Sequence, residues 1–154
     1  MNLKNPEIVI INENEYLIPS DITEVVASIF SFLQSDTRSA VTIAFIEEEE
    51  MSLLYEQYYG YTHITDVLSF ESGEIDPESG KIMLGDILIC YPFVKKQAIS
   101  LGNKLDDEIK LLVIHGMLHL LGFDHTTEEQ KFRMWEVQNK LLALNDINLN
   151  RIPE

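Results

Sequence analysis

The sequence predicts one α+β domain, residues 1–154, with a mixed sheet of about four strands packed with about five helices. Three observations lead there. A chain of 154 residues with 45% apolar content suits a single core-bearing domain. Strand-like and helix-like runs follow in the order β-α-β-α-β-β-α-α-α, mixed but without strict alternation. No internal repeat, low-complexity tract or interdomain linker interrupts them.

Ile8–Ile11 is a short β-rich run. Ser20 is placed to cap a helix reaching about Gln34, with Ile22, Val25, Val26, Ile29, Phe30 and Leu33 on one face. Val41–Ile46 reads as a strand. Glu47–Glu50 opens a second helix to about Tyr59, its acids complementing the helix dipole as a solvated first turn. Thr65–Phe70 is a strand candidate, and Glu71–Lys81, with Gly73, Pro77 and Gly80, reads as an exposed loop. Leu84–Tyr91 is a further strand ended by Pro92, and Phe93–Leu101 a helix stopped by Gly102. The next helix starts at Asp106 or Asp107 and is apolar nearly all round, the mark of a buried helix. Thr126–Glu129 fits a capping box for a last helix to about Leu144, with Phe132, Trp135 and Leu142 inward. The tail, 146–154, is polar, holds Pro153 and is expected to fray.

Composition narrows the setting. The single cysteine, Cys90, allows no intramolecular disulfide and fits a reducing compartment. The start carries no signal-peptide pattern, and no apolar run approaches the roughly 18 residues that cross a bilayer. These features predict a cytoplasmic protein with no membrane partner. A net charge of −15 argues against nucleic acid as a general partner. The charge is uneven, however. Residues 1–94 carry 3 basic and 17 acidic side chains, whereas residues 95–140 carry 7 of each.

Three of the four histidines lie in that neutral half, within His115–His125. Residues i and i+4 of a helix lie about 6 Å apart along the axis and on nearly the same face, so His115 and His119 can aim at one point. His125 would lie about 15 Å beyond them if the helix simply continued. Gly122 allows the helix to stop, because glycine takes a left-handed C-cap without steric cost. The turn after it can then return His125. Two ligands, a helix stop and a third ligand predict a metal site on the buried helix and the following turn. Three imidazoles plus water form a catalytic zinc shell. The spacing is that of metzincin proteases, but Gly116 stands where those enzymes carry the Glu that activates water. Asp124, the nearest carboxylate in sequence, can orient a ligand histidine, accept a proton from bound water, or simply cap the turn. Cys90 reads as an inert core thiol and His63 as an exposed loop residue or a proton donor near the cleft. Asp86 either faces the site or ends its strand.

His115-Gly-Met-Leu-His-Leu-Leu-Gly-Phe-Asp-His125 resembles the signature of the YbeY-type rRNA maturation factors, metal-dependent endoribonucleases. Thr65-Asp-Val-Leu-Ser-Phe70 and Leu84-Gly-Asp-Ile87 match two further blocks in the family's order and spacing. The resemblance covers essentially the whole chain. It implies a single-domain α+β fold, one zinc ion on His115, His119 and His125, and single-stranded RNA as substrate. It also implies processing of the small-subunit rRNA 3′ end, ribosome quality control, and ribosomal or small-subunit protein partners. One departure bears on catalysis. Tyr59 stands where the family usually has an Arg held to take part in cleavage, so Tyr59 joins Asp124 as a candidate catalytic residue. Ile64 and Glu71 stand where the family tends to have Pro. A ribosome-associated zinc protein with weak or no cleavage is the alternative, and a metallopeptidase the more distant one.

Overall fold

The computed structural model describes residues 5–150. Its elements are β1 (Glu7–Ile11), α1 (Ile22–Leu33), β2 (Ser39–Ile46), α2 (Glu48–Tyr59), β3 (Val67–Ile75), β4 (Ile82–Cys90), α3 (Tyr91–Leu101), α4 (Leu105–Leu120) and α5 (Glu128–Leu144). The sheet order is β1-β2-β4-β3. β1, β2 and β4 run parallel, and β3 closes the sheet antiparallel to β4. The predicted α+β class and mixed four-stranded sheet are therefore what the chain forms.

Alternation along β2 explains the layering, since successive side chains of a strand point to opposite faces. Val41, Ile43 and Phe45 join the larger core with α1, α4 and α5, whereas Ala44 and Ile46 join a smaller one with Met51 of α2. Both faces are covered, so β2 is apolar on both, apart from Ser39 and Thr42. Helix α4 packs against α1, α3, α5, β3 and β4. Ten of its residues are buried, from Glu108 to Leu120, which accounts for its nearly all-round apolarity.

Several expectations need correction. The stretch 71–81 is not all loop. β3 continues to Ile75, and only a tight turn remains, in which the Asp76 carboxylate accepts from Ser79 Oγ at 2.8 Å and from the Glu78 backbone N–H at 3.1 Å. Both faces of its outer part, residues 71–75, are solvated, so no alternating pattern marks it; the backbone ladder to β4 holds it. β4 stops at Cys90 and α3 begins at Tyr91, so Pro92 does not end the strand but sits in the first turn of α3, where its missing N–H costs nothing. Helix α1 has Asp21, not Ser20, at its N-cap position, and α4 begins at Leu105. The capping box on α5 lies one residue later than expected, on Thr127 and Gln130. Its buried face is Met134, Gln138 and Leu141; Leu142 packs half-buried against the core as expected, while Phe132 is 67% exposed. The tail from 146 to 150 packs rather than frays: Ile147 is buried, and the Asn150 side chain donates to the Leu101 carbonyl at 2.8 Å. The expectation for residues 151–154 lies outside the described residues.

Gly85 joins β3 to β4 at a register shift. Its φ is +141°, and a Cβ there would come within 2.0 Å of the Phe70 carbonyl oxygen. Gly85→Ala should therefore destabilise the protein by about 2–5 kcal/mol, combining backbone strain with steric displacement. Urea denaturation measures this, and a loss below about 1 kcal/mol would show that the strand pair tolerates the side chain.

Candidate metal centre and cleft

α4 ends in a Schellman arrangement. The Gly122 N–H donates to the His119 carbonyl at 3.0 Å and the Phe123 N–H to the Leu118 carbonyl at 2.9 Å. Gly122 has a φ of +101°, as its place after the last helical turn anticipates. Beyond it the chain doubles back. Asp124 Oδ1 accepts from the His125 backbone N–H and Oδ2 from Thr126 Oγ, both at 2.7 Å. This brings His125 to His115 and His119, with one ligand atom of each within 4.8 Å of the others.

The donor set fits a metal ion. His115 Nε2 and His119 Nε2 lie 3.2 Å apart. Two nitrogens on one tetrahedral zinc ion, with bonds of 2.0–2.1 Å, would be ~3.3 Å apart. On the far side of its ring, His115 Nδ1 lies 3.0 Å from Gln138 Oε1. An amide oxygen only accepts, so Nδ1 carries the proton and Nε2 presents its lone pair to the cluster. Gln138 is fully buried, and its Nε2 has no hydrogen-bond partner. Such an orphan costs about 1–3 kcal/mol. The fold tolerates it where the same amide fixes a ligand. Burial pushes His115 below the ordinary imidazole value of 6.5, and burial followed by the nearby charge of His125 does the same for His119. Both rings are thus neutral near pH 7, the form that ligates metal.

Gly116 explains the absent protease base. It is buried, and a Cβ there would meet three side-chain atoms of Ile87 at 3.0–3.1 Å. The position after the first ligand faces the sheet, so no carboxylate on it can reach the cleft.

The histidines form one wall of a cleft of about 460 Å³. The opposite lip comes from β3, where Val67, Ser69 and Glu71 alternate toward it, with Tyr59 at the end of α2. Asp124 also lines the cleft, but both its oxygens serve the turn. Its hydrogen bond from Thr126, then that from the His125 backbone, holds its carboxyl below the usual range. Glu71 is the residue the sequence reading missed. Its carboxylate has no hydrogen bond or ion pair among the described residues, and it lies at a register shift in β3. Bulges of this kind re-aim side chains beside active sites. Its signal was hidden because an acid in a glycine-containing stretch reads as loop. Asp86 is exposed in mid-strand and His63 is exposed against Tyr55; neither lines the cleft. Cys90 is buried, and that burial pushes its thiol up, as an inert core thiol requires.

If Gln138 sets the tautomer of His115, Gln138→Ala should weaken zinc binding by about 10- to 100-fold. Competition with a chromophoric chelator measures this, and an unchanged affinity would assign Gln138 to packing alone.

The chain was compared with known proteins. Residues 8–145 match the family model described as Endoribonuclease YbeY. A relative of that name from Bifidobacterium animalis subsp. lactis is 38% identical over 136 residues, covering 85% of this chain and 75% of its own length. Another, from Corynebacterium kroppenstedtii, is 34% identical over 144 residues, covering 87% and 71%. A solution structure of a Thermotoga maritima protein superposes with a TM-score of 0.59 at 26% identity, covering 90% of this chain and 91% of its own. Among the described residues no helix is long and apolar enough to cross a membrane. The sequence match along almost the whole chain places it in the endoribonuclease YbeY family.

Proposed function

We propose that the protein is a zinc-dependent endoribonuclease that cuts single-stranded RNA during ribosomal RNA maturation. The observation that carries this reading is the convergence of three histidine nitrogens in a solvent-open cleft. Family membership supplies the reaction class, since the relatives are endoribonucleases by name. Three protein ligands leave a coordination position open, as catalytic zinc sites do and closed structural sites do not. We extend the reading, on the resemblance of the His115–His125, Thr65–Phe70 and Leu84–Ile87 blocks, to the small-subunit rRNA 3′ end, to ribosome quality control with ribosomal partners, and to the cytoplasm.

His115, His119 and His125 would hold the ion, with Gln138 orienting the first and the Asp124 turn presenting the third. When bound, zinc lowers the pKa of a coordinated water toward about 7 and polarises a phosphoryl oxygen. The chain's own groups do the rest. Glu71 is the cleft carboxylate free to take up a proton, whether from water or from a ribose 2′-hydroxyl. Asp124 acts as a positioning residue for His125, because both its oxygens are engaged. Tyr59 offers a phenolic hydrogen bond to substrate but no positive charge. The buried backbone at Gly116 disfavours a metallopeptidase, which needs its base there. The weakly cleaving ribosome-associated protein is the reading to test against, because Tyr59 replaces a cation.

The test is a cleavage assay on single-stranded ribosomal RNA, run alongside zinc analysis. His115→Ala should lose zinc and cleavage together while keeping its circular dichroism spectrum. Glu71→Gln should keep zinc and lose about 10²- to 10⁴-fold in kcat, the usual contribution of a general base. Full cleavage by verified metal-free protein would overturn the proposal. Wild-type protein that binds zinc but leaves RNA intact would favour the non-cleaving alternative.

A further inference from the structure

The end of α2 carries an exposed aromatic patch beside the cleft. Tyr58, Tyr59 and Tyr61 are 58%, 55% and 59% exposed. They are not independent surface residues. The half-buried Tyr55 ring lies 4.4 Å from Tyr59, 5.4 Å from Tyr61 and 4.9 Å from His63, centroid to centroid, and Tyr58 lies 4.5 Å from Phe70. Gly60 ends the helix at a φ of +84°, and the chain turns so that Tyr61 Oη comes within 3.4 Å of Tyr55 Oη. Tyr59 lines the cleft, so the joined rings of Tyr55, Tyr59 and Tyr61 adjoin it, whereas the Phe70 ring that meets Tyr58 packs on the smaller core at the other face of β3. A contiguous exposed aromatic surface of this kind marks a binding site.

Charge identifies what binds there. No Lys or Arg lines the cleft, and Glu71 and Asp124 do. Among the described residues, Arg133 is the one cation in the pocket adjoining it, with its guanidinium 5.9 Å from the centre of the Phe123 ring. A polyanion entering along α2 therefore meets almost no side-chain countercharge before the metal centre. What it does meet is π surface, on which any unpaired base can stack whatever its identity. Bases in a duplex already stack on each other and are not available.

We propose that Tyr59 and Tyr61, backed by Tyr55, form a stacking platform for unpaired bases of single-stranded RNA at the mouth of the cleft, so that the strand is held mainly by its bases rather than its phosphates. This rests on the endoribonuclease reading and adds to it the means of substrate selection. It gives single-strand preference a structural cause and accounts for RNA binding by a chain of net charge −15.

The test uses the full-length zinc-loaded protein and a short RNA carrying 2-aminopurine, single-stranded or annealed to its complement, mixed rapidly so that binding precedes cleavage. Binding of the single strand should change the 2-aminopurine fluorescence, and the duplex should bind far more weakly. Tyr61→Ala should weaken binding by about 5- to 150-fold, the range for losing one stacked base. It should act on KM more than on kcat. Tyr61→Phe, which keeps the ring, should bind like the wild type, and so should Tyr58→Ala, whose ring lies against Phe70 on the other face of β3. The log–log salt dependence should be shallow, near one phosphate contact at about −0.7. The proposal is overturned if Tyr61→Ala binds single-stranded RNA as tightly as the wild type, if the duplex binds equally well, or if the salt slope is steep. In the first case the patch serves another partner, such as an apolar protein segment. Failure of the underlying reading shows itself separately, as absence of RNA cleavage by the wild type.

Discussion

The contact of Gly116 with Ile87 sets the position of α4, and the rest of the site depends on α4. With no side chain at 116, the helix can press onto β4 at a distance a Cβ would already crowd. That close approach sinks α4 among α1, α3, α5 and the sheet, so that over residues 111–120 only His115 and His119 are not buried, and both open to the cleft. A helix packed this closely resists rolling and sliding, so its two imidazoles are held in place before any metal arrives. The same packing sets the end of the helix. The Schellman turn at Gly122 can return His125 to the other two only because Leu118 and Leu120 are already held in the core.

Rigidity on the α4 side contrasts with openness on the other. The lip formed by β3 and the end of α2 is solvated, acidic and aromatic, and it carries Glu71 and Tyr59 to the same cleft. The two walls divide the work. The buried wall supplies neutral nitrogen donors, one of them oriented by an amide that sacrifices a hydrogen bond on its nitrogen. On the proposed reading, the exposed wall supplies the proton acceptor and the surfaces that meet substrate. Neutral ligands leave a bound divalent ion with its full charge, which matters in a molecule otherwise so acidic.

How much of this the sequence reveals depends on whether local chemistry or tertiary packing controls the feature. The three histidines and Gly122 were legible because i,i+4 spacing and a helix stop are local facts. Helix α4 was legible from its apolarity. Gln138 was not, because nothing local distinguishes a glutamine that reaches His115, 23 residues away, from one on a solvated face. Glu71 and the outer half of β3 were missed for a related reason: a strand with two wet faces has no alternating pattern, and only its pairing with β4 shows it. Phe132 misled in the opposite sense, a large apolar side chain that α5 turns to solvent while Met134 and Leu141 face inward. Asp124 was read from proximity as a possible base, a positioning group or a cap, and in the structure its two oxygens accept from the His125 N–H and from Thr126 Oγ.

The central claim is that the fold brings three imidazoles, and only these protein donors, to one ion with a position left for water. X-ray absorption at the zinc edge of the loaded protein tests it directly. The account predicts a four-coordinate ion with about three imidazole nitrogens at 2.0–2.1 Å and one oxygen, with His125→Ala removing one imidazole. A closed shell of four protein ligands, or a spectrum unaltered in His125→Ala, would contradict it.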